Sequence, residues 1–549
     1  MPNPPSIFND VLGPVMRGPS SSHSAAANRI ARLARDLVGE AIRKVTVRYD
    51  PNGSLVTTHR EQGSDLGLYS GLLGWTPEDE RLPTYQQACA DAGIEIDLRY
   101  ESYDAPHPNF YRLELLGESG RLSRLDAIST GGGMIELIAV DGVPVPSAGD
   151  LDLTLCWLDS EPAEDVWSSH PAAEAAESVA WHQGEEGGLL VFESREPLPA
   201  VGELAELLGA KHDRALRAVL PILSRRDLSV PFETCAQMRR RADFNTATLA
   251  QLAIEYEAAR GGVAGEEVLR RIRAVADIMR GAVEQGLAGT EYADRILPSQ
   301  SPRFTRAEQE GRLVPADVTN RIIRYVSAIM EVKSSMGVIV AAPTAGSCGA
   351  MPGAVFAVAD TLGATEEETA KALLIAGLIG VFIARDATFA AEEGGCMAEC
   401  GSGSAMAAAA IVYLCGGDNQ QSHAAASMAL QNGLGVICDP IANRVEAPCL
   451  GRNIMAATNA LACANMALGG YNHLVPLDEV IEAMNSVAAS MPREVRCTAL
   501  GGLSVTPTSL QIVEQLGKYS DTEASTAKPL SAAKPLSTAK PFSSPTPGC

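Results

Sequence analysis

Aromatic side chains are scarce in this 549-residue chain, 5% of the total, while glycine is frequent, with 50 copies. Scarce rings among abundant Ala, Gly and Ser favour helices packed closely through small side chains. Basic residues are also short: 44 Lys and Arg face 67 Asp and Glu, a formal net charge of −23. That balance argues against nucleic acid or an anionic membrane as a partner. No apolar run reaches the ~20 residues of a membrane span. The longest, ALLIAGLIGVFIA over 372–384, reads as a buried helix begun by the capping box Thr365-Glu-Glu-Glu368. The opening MPNPPSIFNDV has no basic segment followed by an apolar core, so no secretory signal is visible and a cytoplasmic protein is expected. Without that signal, twelve cysteines point away from a disulfide framework and towards metal ligation or catalysis for some of them. CxxC pairs and a neighbouring histidine pair, the marks of structural zinc, are missing as well.

What is present divides the chain as a multidomain α+β protein. Residues 1–150 mix an amphipathic helix, GPSSSHSAAANRIARLARDLVG, with KVTVRYD, IEIDLRY and FYRLELLG, which alternate like half-buried strands. They are expected to form an α+β domain. Residues 151–228 hold strand-like LDLTLCWL and GLLVFES, enough for a small α+β module or a linker, possible as a degenerate regulatory unit. Residues 229–515 turn to Ala-, Leu- and Met-rich helices broken by Gly-rich turns and form the expected catalytic domain. Residues 516–549 repeat an AKPLS-like unit, a Pro/Ser/Lys tract with little to bury, and are expected to be disordered.

The chemistry gathers in the helical part. ICDPIANRVEAPCLGRN, residues 437–453, puts Cys438 and Cys449 in a segment that Pro440 and Pro448 keep from regular structure. Free cysteines usually pack as small buried hydrophobes, so two in a Pro-bounded, charged loop suggest ligands. Cys348 in TAGSCGAM, and Cys396 and Cys400 in EEGGCMAECG, are the upstream candidates, each in a glycine-rich turn that lets a cofactor approach. Spacing does not choose among them, and buried thiols in an Ala-rich core are the competing reading. Thiolates alone from scattered loops suit an iron–sulfur cluster better than zinc. In GPSSSHS, three hydroxyls and His23 precede a helix, where a substrate carboxylate can be held; a plain serine cap accounts for only one of them. No phosphate cradle is paired with a Schiff-base lysine, so pyridoxal phosphate is not expected. Lys333 and Lys371 flank apolar helices, and His423 and His473 read as structural.

GPSSSHS, the HPN of 107–109, ISTGGGMIEL, AAPTAGSCG, GGCMAE, CDPIANRVEAPCLGRN and LGGLSVTPT occur in order over most of residues 8–510. Together they resemble the iron–sulfur-dependent L-serine dehydratases, in a fused form with the beta part first and the alpha part second. The resemblance implies a 4Fe–4S cluster on Cys396, Cys438 and Cys449, with Cys549 as a possible fourth ligand on the tail, and Cys348 in a turn near the site. It implies dehydration and deamination of L-serine to pyruvate and ammonia, in amino-acid degradation and gluconeogenesis. An iron free of protein ligands acts there as Lewis acid on the hydroxyl. The implied catalytic set is His23, His59, Asp65 and His107. The implied substrate-binding set is Ser20, Ser21, Ser22, Ser24, Ser64, Asn109, Lys333, Thr344 and Cys348. A homodimer acting on a small amino acid is expected.

The chain departs from the family pattern at four places. Gln62 stands where the family has histidine before its G-[TS]-D stretch, and glutamine cannot serve as a base at neutral pH. His59, then His107, are the substitutes. Met134 replaces the asparagine of ISIGGGN, Lys333 that of EVNAAMG, and Cys497 the glutamate of RET. The other readings are a sister lyase acting on threonine, cysteine or another β-substituted amino acid, and a non-catalytic ligand sensor.

Overall fold

The computed structural model describes residues 4–220, 229–292 and 295–516. The three alternating segments form the strands Ile42–Tyr49, Glu95–Tyr100 and Phe110–Gly117. With Leu122–Gly131, Met134–Val140 and Val143–Ser147 they make a six-stranded sheet in the order 95–100, 42–49, 110–117, 122–131, 134–140, 143–147. The 42–49 and 95–100 strands pair in parallel, and all other neighbours are antiparallel. Val45, Val47, Leu113 and Leu115 pack with Ile30, Ala34 and Leu37 of the helix Ala26–Val38.

The second region is a four-stranded antiparallel sheet, ordered His212–Leu216, Asp152–Leu158, Gly188–Ser194, Ser178–Gln183. Successive side chains of a strand point to opposite faces. Leu153, Leu155, Leu189 and Val191 therefore join the core of the first sheet. Cys156, Leu158, Leu190 and Phe192 form a small core of their own with Leu204. The region expected as a separate module or linker thus shares apolar packing with the first sheet, and residue 150 marks no break in it.

From Leu249 onward the chain is mainly helical. Ser402–Leu414 is buried along nearly its whole length, because the alanines over 407–410 let its neighbours approach. The helices Ala350–Leu362, Glu366–Asp386, Asn419–Gly433 and Cys449–Leu468 surround it. The 366–386 helix starts at the expected capping box, with Thr365 Oγ1 accepting from the Glu368 N–H and Glu368 Oε2 from that of Thr365. One helical stretch among the described residues, Ala391–Leu414, has the length and apolarity of a membrane span, and it is mostly buried inside the protein.

One expectation about the first domain is corrected. Residues 6–16 belong with the helices: Ile7, Phe8, Val11, Leu12 and Met16 lie in the helical core, and the strand Val15–Met16 pairs with Ile339–Val340. The reason is an apolar IFNDVL run whose side chains fit the helical groove opposite Gly377 and Gly380. Glu257, in the helix Leu249–Gly261, fixes this segment by accepting from Ser6 Oγ at 2.5 Å and the Ile7 N–H at 2.7 Å.

Burial pushes the Glu257 carboxyl up to about 7, against its bonds to Ser6 and Ile7. The folded state therefore holds a proton that the unfolded chain has released above the ordinary glutamate value. The contribution is fully present below that value and is lost as pH rises towards 7. At about 1.4 kcal/mol per unit, a few kcal/mol at most are involved. Thermal melting of the wild type should show this fall between about pH 4.5 and 7, and Glu257→Gln should flatten it. An equal slope in both proteins would refute the assignment.

Candidate active site

Residues 437–448 are largely irregular because other segments fill their backbone hydrogen bonds, and the expected irregular stretch turns helical from Cys449 onward. The Cys438 N–H donates to Val495 O at 2.9 Å, and the Cys497 N–H donates to Cys438 O at 3.0 Å. The two cysteine segments therefore run side by side. Asp439 accepts from the Leu503 N–H at 2.7 Å and pairs with Arg452 at 2.5 Å, while Ser504 Oγ donates to Pro440 O at 2.8 Å. Thus LGGLSV holds CDP in place. Cys449 opens the helix Cys449–Leu468. One turn on, Asn453 accepts from the Ala350 N–H at 2.9 Å and donates to Gly346 O at 2.8 Å. That ties the PTAGSCG turn to the same helix.

Gly395 brings the third segment in. Its φ is +63°, and a Cβ there would meet Val436 O at 2.9 Å and Met491 Sδ at 2.8 Å. A bare backbone allows the Met397 N–H to reach Val436 O at 2.9 Å, which carries Cys396 beside Cys438. The first sheet arrives through its triple-glycine turn. Gly131 lies so close to Ala390 that a Cβ would stand 3.0 Å from that residue's backbone N.

The turn Ser21–Ala25 closes the other side. Ser22 Oγ donates to Glu392 Oε1 at 2.9 Å, and His23 Nδ1 lies 3.2 Å from the same oxygen. Ser20 and Ser22 hydroxyls are 3.2 and 3.3 Å from Nδ1. His23 Nε2 lies 2.9 Å from Thr58 Oγ1, whose own proton goes to Ser54 O at 2.8 Å. The Thr58 oxygen therefore accepts, which assigns the hydrogen to Nε2 and leaves Nδ1 as the basic nitrogen. Burial lowers the His23 pKa, with Glu392 opposing.

These parts close on a narrow cavity of about 10 Å³ lined by Ser20, Ser22, Gln62, Glu392, Glu399, Cys438, Cys449 and Cys497, among others. Removal from water pushes Glu399 up to about 7, although the Thr344 hydroxyl bond and the Lys333 and Arg452 charges oppose it. Thr344 Oγ1 donates to Glu399 Oε1 at 2.6 Å. Glu392 Oε2 is buried with no hydrogen-bond partner. The neighbouring Cys497 thiol, then burial, holds the Cys438 thiol well above its ordinary value, and burial raises Cys449.

The donor set can be tested against a cluster. No three His, Cys, Asp or Glu side chains among the described residues are gathered so as to hold a single metal ion. Buried thiols spread over two spaces, Cys438 and Cys449 on one and Cys396 on the other, suit instead a body with several irons, each taking one thiolate. Iron would replace protons that burial otherwise keeps on these sulfurs. Cys396, Cys438 and Cys449 fit that group.

Ser20, Ser22, Cys438 and Cys449 line the cavity, and His23 stands directly behind the two serines. Cys396 borders a second, larger space of about 100 Å³ together with Cys400. Ser21 Oγ accepts from the Ala345 N–H at 3.1 Å, and Ser24 Oγ donates to Gln62 O at 3.3 Å. Lys333 is buried and donates to Val445 O, and Thr344 reaches the cavity through Glu399. The others do not line it. His59 lies between Asp65 at 2.7 Å and Tyr100 OH at 2.8 Å. His107 bonds Glu393 at 2.9 Å and accepts from the Asn109 N–H at 3.0 Å. Ser64 meets Tyr111 OH at 2.9 Å, and Cys348 packs on Met330 in the core. Cys549 lies outside the described residues. Glu392, Glu399 and Thr58 were not singled out from the sequence. The carboxylates flanking Cys396 in EEGGCMAEC, in an otherwise apolar stretch, were the available signal.

The model of the family described as serine dehydratase alpha chain matches residues 244–504, which lie in the helical part. The L-serine dehydratase of Streptomyces coelicolor is 30% identical over 504 residues, covering 89% of this chain and 96% of that protein. The L-serine dehydratase of Mycobacterium bovis is 27% identical over 531 residues, covering 90% and 97%. The probable L-serine dehydratase alpha chain of Bacillus subtilis is 37% identical over 264 residues, covering 48% and 88%.

Gly395 supplies a test of the assembly. Gly395→Ala should cost about 1–3 kcal/mol through backbone strain and the clash with Val436 O. It should lower the melting temperature and the iron retained after anaerobic reconstitution together. Unchanged melting and iron content would show that the close approach is dispensable.

Proposed function

The chain belongs to the L-serine dehydratase family, and on that premise we propose that it eliminates water from L-serine and releases pyruvate and ammonia. The observation that carries this reading is one cavity walled by thiols, two carboxylates and the serine turn. A 4Fe–4S cluster on Cys396, Cys438 and Cys449 would supply an open Lewis-acidic iron for the substrate oxygen. The remaining work falls to side chains of this chain. Glu392 Oε2, an acceptor without a donor, takes the substrate ammonium. The Ser20 and Ser22 hydroxyls orient the carboxylate by turning their protons to it from His23 Nδ1 and Glu392 Oε1 respectively.

Glu399 is the proton acceptor in this reading. It lines the cavity, whereas both ring nitrogens of His59 are engaged by Asp65 and Tyr100 and His107 is tied to Glu393. A carboxyl near 7 is substantially ionised at neutral pH and still basic enough to remove a proton. Glu399 takes the α-proton as the β-C–O bond breaks, and that proton leaves with the hydroxyl as water. The resulting enamine tautomerises to the imine, which water hydrolyses to pyruvate and ammonia.

Glu399→Gln should lower kcat for serine by roughly 10²–10⁴-fold. Because the carboxylate must be ionised, wild-type kcat/KM should climb as pH rises through about 7, and the variant should lose that limb. An intact limb in Glu399→Gln would move the base elsewhere. Separately, Ser in place of Cys396, Cys438 or Cys449 should abolish the brown iron–sulfur absorbance, whereas Cys400→Ser should retain it. Loss with Cys400→Ser and retention with Cys438→Ser would overturn the ligand set.

A further inference from the structure

Cys497 occupies a position that the ligand set above does not use. It is buried, and it lines the cavity with Cys438 and Cys449. Its backbone is fixed there by the bond from its N–H to Cys438 O at 3.0 Å. Gln62 Nε2 stands 3.2 Å from Cys497 Sγ, an N–H directed at sulfur of the kind that supports a thiolate. The cavity also holds the unpartnered Glu392 Oε2, so groups in want of a ligand face it from two sides. Cys400 is a weaker candidate, because it lies with Cys396 on the separate space lined by Asn432, Met455 and Asn459, and not on the one lined by Cys438 and Cys449.

We propose that Cys497 is the fourth thiolate of the resting site, occupying the position that the serine hydroxyl takes during turnover. This deepens the cluster reading above and rests on it. On ligation the thiol releases its proton to solvent; when substrate displaces the sulfur the proton is recovered, and no electron changes hands. The exchange costs little movement, since the sulfur has a neighbouring bonded partner in Gln62 to return to. The cap then comes from the folded body of the protein and needs no contribution from the tail.

The test uses the full-length protein reconstituted anaerobically with ⁵⁷Fe and sulfide, as wild type, Cys497→Ser, Cys497→Ala and a form lacking Cys549. Mössbauer spectra without serine should show four similar thiolate-bound irons in the wild type and in the form lacking Cys549. Both Cys497 variants should show one iron distinct from three. On titration with ferricyanide they should lose that iron several-fold faster, seen as the paramagnetic three-iron signal. Adding serine to the wild type should produce the same distinct iron. A wild type that already has one distinct iron and loses it as fast as Cys497→Ala would overturn the proposal. So would a change caused by removing Cys549 alone. Melting temperatures confirm that the variants fold, and Cys497→Ser keeps the side-chain size if Cys497→Ala does not. Failure of the wild type to bind any thiolate-ligated iron would overturn the underlying cluster reading, and this proposal with it.

Discussion

Everything at the site depends on the approach of one backbone to another at Gly395. The Met397 N–H can reach Val436 O only because no side chain stands between them, and that contact sets Cys396 against the segment carrying Cys438. Burying several thiols and two carboxylates together is unfavourable without partners. The surrounding structure therefore over-determines the arrangement. Asp439, Asn453 and Ser504 each bind backbone across segments distant in sequence, and Arg452 pairs with Asp439 inside the cysteine loop. The cavity is a product of these bonds, and the helices behind it supply their rigidity.

What could be read in advance was whatever local pattern determines. The 366–386 helix was legible because Thr365 and Glu368 form a cap between neighbours in sequence, and the three strands because alternation is a property of consecutive residues. The placement of residues 6–16 was not legible, because IFNDVL carries no signal naming the groove it fills. Nor was the shared core of the two sheets, since apolar residues on both faces of the 152–158 strand do not say which face meets which neighbour. The thiols of the 437–453 loop were legible from their implausibility as packing residues. Glu392 and Glu399 escaped because their importance arises from burial, which the sequence around them expresses weakly.

Two of the departures from the family pattern turn out to be in contact. Gln62 replaces a histidine and Cys497 a glutamate, and the amide of one lies against the sulfur of the other. Gln62 also donates to Asn443 Oδ1 at 3.0 Å, so the new pair is joined to the cysteine loop. A histidine beside a glutamate is a charge-bearing pair; an amide beside a thiol is not. The two substitutions are best understood as a single exchange that removes charge from this wall and adds a soft donor.

The pairing of Val15–Met16 with Ile339–Val340 works as a common ruler for the two halves. The serine turn begins five residues after Met16, and Thr344 comes four residues after Val340. A single ladder therefore sets the register of both loops that enter the cavity. A strand slipped by one residue would turn its side chains to the wrong face, and both loops would be misaligned at once. The same ladder makes connectivity between the halves expendable. If the chain were severed between Leu220 and Phe232, the N-terminal piece would still have residues 6–16 buried among the helices of the other, and the two pieces would remain one particle.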